Sequence, residues 1–314
     1  MSLFSDERPT IGWIGAGRMG LQLAIRLIDA GYDVAIYNRT RSKTQPAVDR
    51  GAVAVDSPAE LAGRDIVFSM VSASQDLLQV MTGDEGVLSN PQLAPKVVVD
   101  CSTVSVAASA EVRAAAEKGG TAMLAAPVSG NPKVVAVGEM TMAVSGEREV
   151  FDEVEPVLLP LGKGVTYVGE GEVARLVKIC HNVFLGVVIQ SLSEITLLAQ
   201  KGGASRAAFL EFLNDSVMGS VFSRYKSPAL VNLDFTPTFT MPLLLKDFTL
   251  GLEAGHELGV PMPVASAAEN LVASAIGAGH VADDFATLVL EQARRSGMEL
   301  VPEDVVVDDG LSGR

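Results

Sequence analysis

Short apolar runs bounded by glycine alternate, over the first half of the chain, with stretches whose apolar residues return every three or four positions. Residues 10–14, 33–37, 65–70, 96–100 and 121–125 have the length and the unbroken apolar character of strands buried on both faces. Between the first two, Leu21, Ala24, Ile25, Leu27 and Ile28 keep helical spacing up to Gly31. Ser57-Pro58-Ala59-Glu60 predicts a helix start with proline in its first turn, and 105–118 predicts another helix. This rhythm predicts a doubly wound parallel sheet. Two more strands, 139–144 and 165–168, flank a helix at 147–158. After Gly169-Glu170-Gly171 the period changes for good. Residues 171–203 contain no proline and one internal glycine, Gly186, and close on Lys201-Gly202-Gly203. They predict one helix of about 30 residues, roughly 45 Å long. Only helical patterns follow, at 205–214, around Phe222, and at 241–258, 264–278 and 282–295.

The first strand runs straight into Gly15-Ala16-Gly17-Arg18-Met19-Gly20 and then into a helix. GxGxxG in a strand–turn–helix context is the dinucleotide fingerprint. Gly15 permits the turn, Gly17 lets a pyrophosphate approach, and Gly20 lets helix and strand pack closely. Phosphate oxygens then meet the amides of the loop and helix start, at Gly15, Ala16, Gly17, Arg18 and Met19. Where an acid would hold the ribose 2′-hydroxyl of NAD, the second strand ends in Asn38-Arg39-Thr40, with Arg41 and Lys43 nearby. Arg39 can pair with a 2′-phosphate, so NADP is favoured over NAD; the alternative is that these cations only face solvent. Val71 leaves the C-terminal edge of the third strand. Thr103 follows the fourth, as a cofactor contact or as a plain helix-entry turn. The fold class is therefore α/β: an N-terminal Rossmann-type doubly wound sheet over residues 1–169, joined by a long helix to an all-α C-terminal domain over 170–298, with an acidic, solvated tail at 299–314.

Three further places carry candidate chemistry. Ala126-Pro127-Val128-Ser129-Gly130-Asn131-Pro132 can offer backbone amides and a hydroxyl to a carboxylate, or can be a structural turn. Lys178 and Asn182 share one face of the long helix at i and i+4, as a solvated edge or as a site. Lys246, beside Asp247, can reach a substrate anion or lie on the surface. His181 and His256 read as packing residues, although His181 follows Lys178 by three.

The 314 residues suffice for two domains with real cores. A net charge of −14 argues against nucleic acid and anionic membranes as partners, so any anionic ligand must be held by local cations or helix ends. No window of about 18 residues is uninterruptedly apolar, and residues 1–15 lack the features of a signal peptide. Cys101 and Cys180 have no metal-type spacing, which predicts reduced thiols, no metal centre and a cytoplasmic protein.

Four motifs in order resemble the β-hydroxyacid dehydrogenase family, which includes 3-hydroxyisobutyrate dehydrogenase, tartronate semialdehyde reductase and the succinic semialdehyde and glyoxylate reductases. They are the Gly12–Gly20 loop, Ala126-Pro127-Val128-Ser129-Gly130, the segment 171–182 with Lys178 and Asn182, and Lys246-Asp247. The resemblance spans about residues 11–290. It implies an oxidoreductase that moves a hydride between a nicotinamide and a short, anionic β-hydroxyacid, semialdehyde or oxo-acid. It further implies Lys178 as general acid/base, Ser129 and Gly130 (with Asn131 beside them) on the substrate carboxylate, and Asn182 orienting the substrate. Lys246 would bind substrate or cofactor, and Thr103 would lie on the nicotinamide side. Family members usually pair through the helical domain, which implies a homodimer or homotetramer. Two positions depart from the pattern. Ala126 replaces an acid, and Asn131 replaces a second glycine. Two rivals are an imine reductase of similar fold and a catalytically silent NADPH-binding protein; both tend to lack the lysine that this chain keeps.

Overall fold

Four consecutive apolar residues make a strand here because their side chains alternate between two covered faces. In the computed structural model, which describes residues 3–4, 8–90 and 92–311, Ile11, Trp13, Val34, Ile36, Ile66, Phe68, Val97 and Val99 enter one core. Ile14, Ala35, Val67 and Val98 enter another. A strand's period of two sends neighbours to opposite faces, so both layers are fed by the same short runs.

The elements of this first unit are β1 (Ile11–Ile14), α1 (Gly20–Asp29), β2 (Val34–Tyr37), α2 (Gln45–Val48), β3 (Val53–Ala54), β4 (Ile66–Ser69), α3 (Ser74–Thr82), β5 (Val97–Asp100), α4 (Val106–Lys118), β6 (Ala122–Ala125), β7 (Val128–Ser129), α5 (Pro132–Ala136), β8 (Thr141–Ser145), α6 (Arg148–Leu158) and β9 (Gly164–Gly169). The strand order is β3-β2-β1-β4-β5-β6-β8-β7, with β9 on β8. From β3 to β6 all pairs are parallel. The order reverses between β1 and β4, which opens a crevice above their C-terminal ends.

The parallel run predicted from the first strands holds as far as β6, after which the direction changes. β8 runs antiparallel to both β6 and β7. The only helix between β6 and β8 is α5, whose five residues span about 7.5 Å. That is too short for a crossover, so the chain returns antiparallel. The segment 126–132, read as a loop or turn, ends on the first residue of α5. Pro132 suggested a break, but proline is suited to the first turn, and Asn131 caps the helix by accepting from the Val134 amide at 3.0 Å. The predicted start at Ser57 is a single 3-10 turn with its capping box intact.

The second unit begins at Ile179, inside the long helix α7 (Val173–Lys201). It continues with α8 (Arg206–Asp215), α9 (Val221–Asn232), α10 (Met241–Glu257), α11 (Pro263–Gly277) and α12 (Leu288–Arg295). By length and composition α7 can cross a bilayer: its most apolar window has a mean hydropathy of 1.6, although no uninterrupted apolar run predicted this. Half of that window is buried by the chain's own residues. Ile189, Leu192 and Leu197 pack there with Leu230, Leu244 and Phe248, as in the core helix of a globular unit.

The acidic tail is not simply solvated. Glu303 accepts from the amides of Arg206 (2.7 Å) and Ala207 (3.0 Å), at the N-terminal end of α8 where free N–H groups and the helix dipole favour a carboxylate. The fully buried Arg206 donates to the Val301 carbonyl at 2.5 Å, and Asn232 to that of Val305 at 2.8 Å. Leu300 and Val307 pack on the helical core.

Candidate active site

The crevice above β1 and β4 is a cavity of about 820 Å³. Its walls include Gly15, Gly17, Asn38, Arg39, Thr40 and Val71, all expected from the sequence, together with Met70, Asp76, Gln79 and Glu85. Trp13, fully buried and stacked on Phe68, donates its indole N–H to the Gly15 carbonyl at 2.9 Å and so fixes the turn from below. Gly15 has φ +103°, and a Cβ there would run into the Met70 carbonyl oxygen. Nothing lies within 4 Å of the place a Cβ would take at Gly17. The protein's own packing therefore does not require glycine at 17, whereas a pyrophosphate approaching the loop does. The observed cradle fits a dinucleotide.

Around the second strand the cations divide. Asn38 accepts from the Ala16 amide at 2.8 Å and donates to the Thr40 carbonyl at 2.9 Å, tying the two phosphate-side loops together. The Arg39 side chain is 85% exposed, with Asp76 3.4 Å away. Arg41 is taken up by Asp56 and by the Ala54 carbonyl, while Lys43 lines the cavity. The cluster of three cations is thus two at the cavity. Arg18 is exposed and Met19 packs on the core, and neither is among the residues that line the cavity.

Below the cavity edge lies a buried polar network that the sequence did not announce. Asp100, at the end of β5, accepts from the hydroxyls of Ser69 (2.6 Å) and Ser102 (2.7 Å) through Oδ1. Its Oδ2 accepts from Arg175 Nη2 at 2.5 Å. Ser102 Oγ in turn accepts from the Val71 amide at 2.9 Å. Thr103, next in the chain, is half-buried. Arg175 sits in the first turn of α7, and its guanidinium also donates to the Ser102 carbonyl (2.6 Å) and to Ser109 Oγ (3.0 Å). The face of α7 that carries Arg175 is therefore turned to the C-terminal ends of the strands. Lys178, three residues on, shares that face and is half-buried. Cys101 is not a nucleophile: burial, then the neighbouring Asp100 charge, push its thiol up and keep it protonated.

Ser129 ends β7 half-buried, and Gly130 follows with φ +146°. A Cβ at Gly130 would also meet Val134 at 3.1 Å, so glycine is needed for the α5 turn. Asn131, which follows them, is buried and uses its two amide atoms differently. Its Oδ1 caps α5, and its Nδ2 is enclosed with no hydrogen-bond partner among the described residues. The cap therefore occupies the oxygen and leaves the amide nitrogen as a buried donor.

In the helical unit Asn182, 5% exposed, donates to Asp247 Oδ2 at 2.6 Å, and Lys246 Nζ lies 3.5 Å from Asp247 Oδ1. Asp247, 1% exposed, joins the two expected residues and was itself missed as a site residue, because an acid beside a lysine reads as an ordinary ion pair. His181 Nδ1 lies 2.9 Å from Oδ1 of Asn182, its neighbour in the chain.

Comparison with known proteins agrees with this geometry. Residues 10–169 match the NAD-binding domain of 6-phosphogluconate dehydrogenase. Residues 169–291 match the NAD-binding domain of NADP-dependent 3-hydroxyisobutyrate dehydrogenase. Glyoxylate/succinic semialdehyde reductase 2 of Arabidopsis thaliana is 30% identical over 90% of this chain and 80% of its own. The 2-(hydroxymethyl)glutarate dehydrogenase of Eubacterium barkeri is 31% identical over 92% and 97%. A solved 3-hydroxyisobutyrate dehydrogenase from Salmonella typhimurium, 28% identical, covers 90% of this chain and 100% of its own with a TM-score of 0.80. With the glycine cradle, the mixed sheet and two abutting family matches in agreement, the chain belongs to the β-hydroxyacid dehydrogenase family and is an NAD(P)-dependent oxidoreductase acting on hydroxyacids and their carbonyl partners.

Proposed function

We propose that the protein reduces a short semialdehyde or oxo-acid to its hydroxyacid, and runs the reverse reaction, with NADP(H) and with Lys178 as the acid/base. The observation that carries this is the anchoring of the first turn of α7 by Arg175 at the end of β5, with Lys178 one turn further on the same face. The Gly15–Gly17 cradle would hold the pyrophosphate of the cofactor, whose nicotinamide would supply or accept the hydride. In reduction, Lys178 Nζ donates a proton to the carbonyl oxygen as negative charge grows there. In oxidation, neutral Lys178 takes the hydroxyl proton. Ser129 and the Gly130 amide hold the substrate carboxylate. Asn182, its amide aimed by Asp247, orients the substrate, and Lys246 adds a positive charge for its anionic end. Arg39 and Lys43 favour the 2′-phosphate of NADP. The names of the relatives suggest the probes: glyoxylate, succinic semialdehyde, methylmalonate semialdehyde and tartronate semialdehyde, each with NADPH and NADH. Lys178→Ala is expected to lower turnover by about 10²–10⁴-fold while NADPH binding, read by fluorescence titration, is retained. Near-normal turnover in that variant would remove Lys178 from the chemistry.

A further inference from the structure

The proposed chemistry leaves unused a completely buried ion pair, Arg175 with Asp100, whose side chains are 1% and 0% exposed. Stability alone does not account for it. Apolar residues of similar volume in place of such a pair are often as stable or more so. What the pair supplies is geometry. The guanidinium is planar and its donors point in fixed directions. Here they end on three separate pieces of the first unit: the Asp100 carboxylate of β5, the Ser102 carbonyl of the following loop and the Ser109 hydroxyl of α4. A fork held at three points sets the rotation and the height of the helix turn that bears it.

The other oxygen of the same carboxylate sets the opposite side. Asp100 Oδ1 takes the Ser69 and Ser102 hydroxyls, and Ser102 Oγ takes the Val71 amide, on the wall of the cofactor cavity. One carboxylate therefore registers both the cofactor edge and the turn of α7 that leads to Lys178. Glu172, just before the helix, backs this up: it accepts from Arg113 Nε at 2.6 Å and lies 3.7 Å from Arg175 Nε. Arg113 also holds the Gly171 carbonyl at 2.9 Å. The charges alternate from Arg113 through Glu172 and Arg175 to Asp100, so each is flanked by its opposite.

We propose that Arg175, through Asp100, is a positioning residue that sets the Lys178 amine against the cofactor edge. The proposal rests on Lys178 being the acid/base. A shift of about 1 Å at a reacting group costs on the order of 10²-fold in rate, so the effect belongs in kcat.

The test uses the full chain, with NADPH and whichever of succinic semialdehyde and glyoxylate the wild type reduces. Arg175→Lys keeps the charge and loses the three-way fork. Its kcat is expected to fall about 10–100-fold, with substrate KM and NADPH affinity within about twofold. The double variant Arg175→Met with Asp100→Leu removes both charges, so neither is left unpaired, while the Ser69, Ser102 and Ser109 hydroxyls each lose a partner. Its thermal midpoint is expected above that of Arg175→Met alone, which leaves the Asp100 charge buried and unpaired, with the kcat loss persisting. A merely structural role would return kcat along with stability in the double variant, and that result would overturn the proposal. So would an Arg175→Lys enzyme with wild-type kcat, or one whose whole defect is lost NADPH affinity. Should the double variant not fold, Arg175→Lys decides alone. Lys178→Ala separates the two claims. If it keeps turnover, the acid/base assignment fails; if it is inactive while Arg175→Lys is normal, only the positioning role fails.

Discussion

At the scale of single residues, the proposed preference for NADP rests chiefly on Arg39. It stands at the mouth of the cavity, 85% exposed, with only a 3.4 Å contact to Asp76 to give up. A surface pair of this kind contributes little, about 0–1 kcal/mol, whereas a guanidinium on a phosphate dianion forms charge-assisted bonds of about 1.5–3 kcal/mol. The second outweighs the first, so the proposed NADP preference rests on Arg39 more than on Arg41, which Asp56 already occupies. Arg39→Ala is expected to weaken NADPH binding about 10–100-fold and to leave NADH binding within twofold, as read by fluorescence titration. Equal losses for both cofactors would show that Arg39 does not touch the 2′-phosphate. Residues of this kind are legible before folding. Gly15 holds a position that the backbone dictates and Gly17 one that an approaching pyrophosphate does, and a motif reports both demands. Asn131 was not legible in the same way, since only the folded turn reveals that its oxygen caps α5.

On the scale of elements, α7 is the feature that the hydropathy pattern identifies most directly, and its middle is defined by packing against α10. Gly186 in α7 faces Phe248 and Leu244 of α10: a Cβ would lie 2.5 Å from two ring carbons of Phe248 and 2.9 Å from Leu244 Cδ1. Two effects oppose each other in Gly186→Ala. Helix propensity favours alanine by about 1 kcal/mol. Overpacking a filled interface against a buried ring costs about 1–3 kcal/mol, and these contacts are at the severe end. The steric term wins, so the variant is expected to be less stable by about 1–2 kcal/mol in urea unfolding. A variant as stable as the wild type would mean that the two helices separate freely. The helix was readable because its period persists over eight turns. α5 and the antiparallel direction of β8, though not the strand itself, were not, because five residues around a proline carry too little periodic signal.

For the molecule as a whole, the sheet depends on charge at its N-terminal edge. Asp65 accepts from the Thr10 amide and hydroxyl, both at 2.9 Å, and pairs with Lys96 at 2.8 Å, so it joins the entries to β1, β4 and β5. Partial burial alone would raise its pKa, but the Lys96 and Thr10 hydrogen bonds together outweigh that and hold the carboxyl below its ordinary 3.8. A pKa lowered on folding stabilises the native state fully above the unfolded value, and the contribution is lost as the pH falls through the folded value. Asp65→Asn is therefore expected to cost about 1–2 kcal/mol at neutral pH. The difference from the wild type should shrink as the pH falls below 3.8, measured by urea unfolding across the acid range. A difference independent of pH would assign the loss to packing.

Taken alone, the amino-acid sequence determined what depends on local order. Strand runs, the glycine cradle, the long helix and the succession of a sheet unit by a helical one all rest on period, backbone permission and covalent spacing. Folding decided what depends on residues far apart in the chain. Asp100 and Arg175 are 75 positions apart, Asn182 and Asp247 are 65, and Arg206 meets the tail across 95. A lysine, an arginine or an acid looks the same in sequence whether it is solvated or buried with a partner. Only burial, which makes an unpaired charge too costly to keep, turns such residues into the fixed contacts on which the proposed chemistry depends.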